Sequence, residues 1–315
     1  MKNNLKIKKL KNLTYFLVKF SIALVALIGI TNEDFATWKW SKIFNDLDIS
    51  NSSNFSDDIF EGLEAHFINV GKADAIYLKS GEKNILVDSG DKEPHGVVVS
   101  YLKKQNVQKL DLVVATHPHR DHIGQMSDVI ENFKIDTFIE PNIPSEVTPV
   151  TVTYEGMLKS LRNKNVNARL VRSGEHFEFD SVKIDVIGPV SPSDNINNNS
   201  IVLRITYKSV SFLLTGDAEK AEESEILKSG QNVKSDVLKV GHHGSNTSTS
   251  AKFLTAVAPK YAVISVLSDK PGSPAAAVVK RLEKFCGKNI YRTDQSGTII
   301  ISTNGEEISV KTEKQ

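Results

Sequence analysis

Apolar and polar positions alternate along the chain in two rhythms. Short runs of β-branched and other apolar residues, bounded by Gly, Asp, Asn or Pro, predict strands at Leu63–Val70, Ala75–Lys79, Asn84–Asp88 and Leu110–Ala115. The same signal recurs at Val182–Ile187, Ile201–Tyr207, Ser211–Thr215, Val237–Val240, Tyr261–Ser265 and Thr298–Thr303. Apolar residues spaced by three and four predict helices over Gly96–Lys104, Ile123–Asn132, Val152–Asn163, Ala218–Ser229, Ser250–Ala256 and Pro274–Cys286. Strands mixed with helices, several in hairpin-like pairs, predict an α/β fold in which helices cover two sheets.

The first 62 residues follow a different pattern. Lysines crowd residues 2–11, and residues 12–30 then read NLTYFLVKFSIALVALIGI. A basic start ahead of an apolar run is the pattern of a secretory signal or an uncleaved anchor. The unbroken run Phe20–Ile30 is shorter than the roughly 20 residues of a spanning helix, and Lys19 interrupts its extension. No small-x-small cleavage site follows Ile30, which favours the anchor, and the lysines would then stay on the cytoplasmic side. Residues 45–62 are rich in Asn, Ser and Asp and read as a tether. The expected organisation is a signal peptide or membrane anchor over 1–32, a polar linker over 33–62 and a folded domain over 63–315, with the domain outside the membrane, anchored or secreted.

Composition changes this picture in two places. The net charge of +1 conceals an uneven distribution. Residues 1–45 carry eight Lys and two acids, so the remaining chain is mildly acidic, which argues against a broad basic groove for nucleic acid. Cys286 is the only cysteine, so neither an internal disulfide nor a thiolate metal site can form, and a buried place near a helix end is expected for it. Any metal must be held by imidazole and carboxylate.

Such groups are concentrated just after predicted strands. THPHRDHIG places His117, His119, Asp121 and His122 within six residues. That spacing can direct two imidazoles one way and a carboxylate with an imidazole the other, which suits two metal ions about 3.5–4 Å apart. Imidazole nitrogen and carboxylate oxygen suit Zn²⁺ and also accept Mn²⁺. Leu213-Leu214-Thr215-Gly216-Asp217 ends a later strand in a carboxylate, and Val240-Gly241-His242-His243-Gly244-Ser245 ends another in paired imidazoles. Alone, Asp217 would read as a helix cap, and the histidine pair would say little. Beside the HPHRDH loop they become candidate ligands.

The order HPHRDH, LLTGD, GHHGS resembles the metallo-β-lactamase fold, a four-layer αββα sandwich. More closely, residues 63–303 resemble the hydrolase domain at the C-terminal end of ComEC-type DNA-uptake proteins and its stand-alone secreted relatives. The matching stretches are NVGKADAIYL, ILVDSGD, ATHPHRDHIG, NNNSIVLRI, SFLLTGDAE, DVLKVGHHGSNTSTSAKFL and IYRTDQSGTIII. The resemblance implies that His117 and His119 bind a first metal, that Asp121, His122 and one of His242 and His243 bind a second, and that Asp217 bridges. His242 is favoured within that pair. Asp88 would hold backbone N–H groups of the histidine loop from behind. Asp74 lies in a motif close to the site, as a catalytic group or as a turn-stabilising Asp.

Three departures bear on activity. Many enzymes of this fold carry a further histidine where this chain has Asn195-Ile196-Asn197-Asn198-Asn199-Ser200, as the ComEC-like group does. Asn198 and Asn199 are therefore candidates for substrate contact or for holding the loop backbone. The family's DVGQGDA reads NVGKADA, which introduces Lys72 as a substrate-binding candidate, and Ser273 stands where the family tends to have histidine. Ser245 offers a turn or a substrate contact.

The implied chemistry is hydrolysis by a metal-activated water, with Asp121 orienting it and Lys72 offsetting developing negative charge. The leading expectation is a phosphodiesterase acting on nucleic acid or another phosphodiester outside the membrane. The alternatives are a hydrolase of a small ester, lactone or lactam, and a surface binding module that keeps its metal without turnover. No protein partner is inferable from the sequence.

Overall fold

The computed structural model describes residues 61–267 and 272–314. The anchor and almost all of the linker expected from the sequence therefore lie outside the described residues. In chain order the strands are β1 (Leu63–Phe67), β2 (Ile76–Ser80), β3 (Lys83–Val87), β4 (Lys109–Val114), β5 (Lys134–Pro141), β6 (Ala168–Val171), β7 (His176–Phe179) and β8 (Val182–Gly188). They continue with β9 (Val202–Tyr207), β10 (Val210–Leu214), β11 (Val237–Lys239), β12 (Tyr261–Ile264), β13 (Ile290–Arg292), β14 (Ile299–Thr303) and β15 (Ile308–Thr312). The helices are α1 (Val97–Lys104), α2 (Arg120–Ile123), α3 (Met126–Asn132), α4 (Val152–Asn163), α5 (Lys220–Lys228), α6 (Ala251–Val257), α7 (Ala276–Cys286) and α8 (Thr293–Ser296).

Two mixed sheets form, ordered β15-β14-β1-β2-β3-β4-β5-β6 and β13-β12-β11-β10-β9-β8-β7. Strand periodicity explains how they stack, since successive side chains point to opposite faces. Along β9 and β10, Leu203, Ile205, Phe212 and Leu214 join Ile76, Leu78, Val87 and Val114 of the other sheet in one apolar layer. Their neighbours Val202 and Leu213 point away and meet Phe253, Leu254, Val278 and Leu282 from the covering helices. On the other side Tyr77, Leu86 and Val113 meet Leu102, Met126, Ile130 and Leu161. Three apolar layers separate four layers of secondary structure, so the αββα sandwich is what the structure shows. Cys286 is buried at the end of α7, with its thiol toward the Pro259 carbonyl. Among the described residues no helix is long and apolar enough to cross a membrane.

Both sheets change from antiparallel to parallel pairing partway across. β3, β4, β5 and β6 run parallel, as do β10, β11, β12 and β13. Parallel strands end on the same edge, so the loops after β3 and β4 face those after β10, β11 and β12. That shared edge is where the candidate ligands lie.

The helix expected over Ile123–Asn132 is instead two pieces, α2 and α3, broken at Gly124–Gln125. The Gly124 N–H donates to the Gly90 carbonyl, and a Cβ on Gly124 would sit 2.3 Å from the Lys92 nitrogen. The backbone of the loop after β3 is pressed against this point, so the chain turns there rather than continuing one cylinder. Strands β5, β6, β7, β13 and β15 were not expected. Four of them are short or at sheet edges, and β6 and β7 mix exposed polar with apolar positions, which blurs the strand signal.

One buried carboxyl in the helical layer has a measurable consequence. Glu222 on α5 accepts from the Val190 N–H at 2.8 Å, and burial pushes its carboxyl up to about 7. The folded state therefore holds this proton more tightly than the unfolded chain. The contribution to stability is full below about pH 4.5 and is lost as pH rises through about 7. Thermal unfolding measured from pH 5 to 8 should show falling stability. Glu222→Gln, which keeps an acceptor for Val190, should flatten that slope by up to about 3 kcal/mol.

Candidate metal centre

Each candidate ligand enters from the end of a parallel strand. After β4 the chain passes Thr116 and His117, and α2 then presents Asp121 and His122 from its first turn. After β10, Gly216 turns with φ 50° and Asp217 follows. After β11 the chain makes a tight turn in which His242 (φ 47°, ψ 50°) and His243 (φ 51°, ψ 29°) both take the left-handed conformation, followed by Gly244 at φ 79°. A side-chain-bearing residue in that region costs on the order of 1–3 kcal/mol. Gly244 has no alternative, since a Cβ there would lie 2.5 Å from Cβ of Pro274. The segment that carries Ser273 in place of the family's histidine is thus packed against the histidine turn, with the Ala275 N–H donating to the Gly244 carbonyl.

The groups converge on Asp217, which is buried. Its Oδ1 lies 3.3 Å from Nε2 of His122 and 3.7 Å from Nε2 of His243. Its Oδ2 lies 3.6 Å from Nε2 of His242 and 4.0 Å from Nε2 of His117. Asp121 joins through His243, with Oδ2 at 3.4 Å from Nε2. His119 reaches His117, with Nδ1 3.0 Å from its Nε2. One ligand atom from each of Asp121, His122, Asp217 and His243 falls within 4.8 Å of all the others. The sequence favoured His242 over His243 for that group; the structure places His243 in it and sets His242 against the other oxygen of Asp217.

The donor set fits a divalent cation. Nε2 of His122, Nε2 of His243 and Oδ1 of Asp217 are buried with no hydrogen-bond partner among the described residues. Buried polar atoms are rarely left so, and three of them aimed at one point are satisfied by a cation. The opposite ring nitrogens are already engaged. Nδ1 of His122 lies 2.7 Å from Oδ2 of Asp88, and Nδ1 of His243 lies 3.0 Å from the Ser265 carbonyl. With Nδ1 so engaged, each Nε2 is directed into the site, where an entering cation displaces any proton it carries.

Electrostatics follow from the same contacts. Burial disfavours charge on His122, yet Asp217 and Asp88 outweigh it and hold its pKa well above the usual imidazole range. Burial would raise Asp217, but the charges of His122 and His243 keep it well below the usual carboxylate range. Asp121 is likewise lowered, the neighbouring imidazoles of His243 and His122 overcoming burial. Burial, reinforced by His122, drives His117 well below its ordinary value and keeps it a neutral donor.

Asp88 lies behind the candidate ligands. It accepts from the Thr116 N–H at 2.8 Å and the Thr116 hydroxyl at 2.7 Å as well as facing His122. Asp74 is buried, with Oδ2 2.7 Å from Nζ of Lys239 and Oδ1 3.6 Å from Nδ1 of His243. Its carboxylate therefore lies on the ring side of His243 that faces away from Asp217. Asn199 spends its amide on the backbone of Ser193 and Asn195, and Oδ1 of Asn198 accepts from the Glu219 N–H, so of their two readings the contacts support loop-holding. Ser245 exchanges hydrogen bonds with Thr247 within the turn. Lys72 is exposed and lines a cavity of about 520 Å³ with His119, Arg120, Asp121, Asp91 and Glu93, the open face of the site.

Three contributors were missed. Lys239, wholly buried, was visible as a lysine inside the apolar run Val237–Val240. Ser200 carries no signal of its own in the sequence, yet its Oγ accepts from the Asp217 N–H at 3.1 Å and lies 3.3 Å from Nδ1 of His117. Glu219, two residues after Asp217, sits 3.2 Å from Nδ1 of His242.

A four-layer sandwich whose edge gathers imidazoles and carboxylates around a shared Asp defines a metallo-hydrolase. Residues 68–268 match the Metallo-beta-lactamase superfamily, and the chain belongs to it. It is 30% identical over 257 residues to ComE operon protein 3 of Bacillus subtilis, covering 75% of this chain and 32% of that protein. It is 31% identical over 237 residues to Competence protein ComA of Neisseria gonorrhoeae, covering 73% of this chain and 31% of the relative. It is 28% identical over 254 residues to Recombination protein 2 of Haemophilus influenzae, covering 78% and 29%. The ComEC-type resemblance is thereby shown, and the chain spans about a third of the length of these relatives. The crystal structure of the metallo-beta-lactamase fold protein YhfI from Bacillus subtilis superposes with a TM-score of 0.54 at 12% identity, covering 77% of this chain and all of that one, a likeness of fold alone.

Asp88→Asn would keep the size of the group while losing the charge that fixes the His122 ring. Divalent-metal affinity, measured by calorimetric titration, should fall by about 10–100-fold with the fold retained.

Proposed function

We propose that this chain is a phosphodiesterase that cleaves nucleic acid or a related phosphodiester outside the membrane, using two divalent metals, Zn²⁺ or Mn²⁺. The observation that carries the reading is the division of Asp217. Each carboxylate oxygen faces its own set of donors, His122 and His243 on one side, His117 and His242 on the other. A shared carboxylate between two donor sets suits a two-metal site, which supports in-line displacement at phosphorus. Relatives named for competence and recombination support a nucleic-acid substrate. The basic and then apolar residues 2–30 support an anchored or secreted domain acting outside the membrane.

His117, His119, Asp121, His122, Asp217, His242 and His243 would hold the metals, which when bound supply Lewis acidity and lower the pKa of water. Asp121 is only partly buried and borders the open cavity, so its carboxylate is placed to orient a water. Lys72 faces the same cavity and has no carboxylate partner among the described residues, which leaves its ammonium to meet a phosphate oxygen. Arg120 is held by Asp91, with Nε 2.9 Å from Oδ1, and shapes the wall. Asp88, Asp74 and Ser200 fix the ligand rings and Asp217 from behind.

A second reading has one observation in its favour. The cavity volume lies in the range of small-molecule pockets, which suits a small ester, lactone or lactam.

The test uses the full-length chain in mild detergent, loaded in turn with Zn²⁺ and Mn²⁺, on single-stranded DNA and bis(p-nitrophenyl) phosphate. Metal-dependent cleavage of both is expected. His119→Ala should lower turnover by at least 100-fold, and Lys72→Ala should weaken DNA cleavage more than cleavage of the small diester. Bound metal with no cleavage of either would overturn the phosphodiesterase and favour esters, lactones or lactams.

A further inference from the structure

Where many members of the superfamily have a third imidazole for the first metal, this chain has the asparagine-rich segment Asn195–Asn199. We infer that His242 supplies the missing imidazole, so that the first metal is held by His117, His119, His242 and Asp217 while His243 serves the second. The inference rests on the two-metal reading and adds to it which metal each member of the histidine pair serves.

Three independent observations carry it. The first is direction: Nε2 of His242 points at Oδ2 of Asp217, the oxygen that His117 also faces, whereas His243 points at Oδ1. The two rings stand at 73° with centroids 6.2 Å apart, so neighbouring residues approach different oxygens of one carboxylate. The second is backbone. Consecutive residues on a strand point to opposite faces and could not both reach Asp217. The tandem left-handed turn at His242 and His243 brings both rings onto it, and a role for both gives that unfavourable conformation a reason.

The third is what stands behind the ring. Nδ1 of His242 lies 3.2 Å from Oε1 of Glu219 and 3.2 Å from the Thr247 hydroxyl. A carboxylate on the far nitrogen of an imidazole is the arrangement that aims a ligating histidine and strengthens it. Glu219 is in turn held by the asparagine segment itself: Nδ2 of Asn195 donates to Oε2 at 3.0 Å, Nδ2 of Asn197 donates to Oε1, and the Glu219 N–H donates to Oδ1 of Asn198. The segment that lacks the histidine thus positions, through Glu219, the histidine that replaces it. Glu219 is a positioning residue and touches no substrate.

The test is metal stoichiometry and affinity on the full-length chain in detergent, stripped with chelator and titrated with Zn²⁺ and with Co²⁺, whose visible spectrum reports ligand number. Wild type should bind two metals. His242→Ala should keep one tight site and weaken the other by at least 100-fold, with loss of one cobalt band and an unchanged circular dichroism spectrum. Glu219→Gln, the milder change, should weaken that same site by about 10–100-fold, and His243→Ala should weaken the other. Two metals bound to His242→Ala with wild-type affinities would overturn the assignment and leave the two-metal reading standing. Fewer than two metals on the wild-type chain would overturn the two-metal reading, and the assignment with it.

Discussion

Asp217 brings a carboxylate into the seam where the two sheets meet, and the site is organised by the need to compensate it. Its Oδ1 and the Nε2 atoms of His122 and His243 are buried without hydrogen-bond partners among the described residues. An unpaired buried polar atom costs on the order of 1–3 kcal/mol, so such a cluster survives only where a further charge completes it. The ring nitrogens that face away from Asp217 are bound to Asp88 and to the Ser265 carbonyl, which prevents the rings from turning to find partners of their own. The fold thereby preserves the convergence of lone pairs that a cation requires.

That convergence depends on the relative position of two sheets, because His117, His119, Asp121 and His122 come from one and Asp217, His242 and His243 from the other. The buried pair of Lys239 and Asp74 joins them directly beneath the site. Lys239 lies on β11, one residue before the chain leaves for the histidine turn, and Asp74 lies on the β1–β2 connection of the other sheet. Asp74 also donates its N–H to the Asp121 carbonyl and accepts from the Gly90 N–H, so one residue ties the ligand helix, the loop after β3 and the opposite sheet. Burying an ion pair brings little net stability, because desolvation offsets the attraction. Removing one partner would strand a charge in the core, so the pair is better understood as a constraint on geometry.

Much of this was legible in the sequence for a physical reason. The strands that make the inner layer are short apolar runs bounded by turns, and the residues after them are chemically unusual for a surface loop. HPHRDH, LLTGD and GHHGS therefore marked out the candidate ligands, and the role expected for Asp88 came from the family resemblance. What the sequence could not show was direction. Whether His242 or His243 turns toward His122 depends on two positive φ angles, and two identical neighbouring side chains do not signal in advance which ring goes which way. Edge strands such as β6 and β7 were illegible because their exposed faces carry mixed polarity, and the Gly124 break because its cause is the distant backbone at Gly90 and Lys92.

The asparagine segment shows why a missing ligand in a sequence is a weak argument for a lost site. Read alone, Asn195–Asn199 is a place where imidazole has given way to amides, and amides are poor ligands for the metals concerned. In the fold, those amides are committed to Glu219 and to the loop backbone, and Glu219 is committed to His242. A metal site constrains where nitrogen and oxygen atoms stand in space, not which segment brings them there. Two adjacent histidines in a left-handed turn can meet that constraint only if something fixes the outer ring, since its side chain is 26% exposed. Glu219 and Thr247 supply that restraint from one side, and Asp217 defines where the other nitrogen must point.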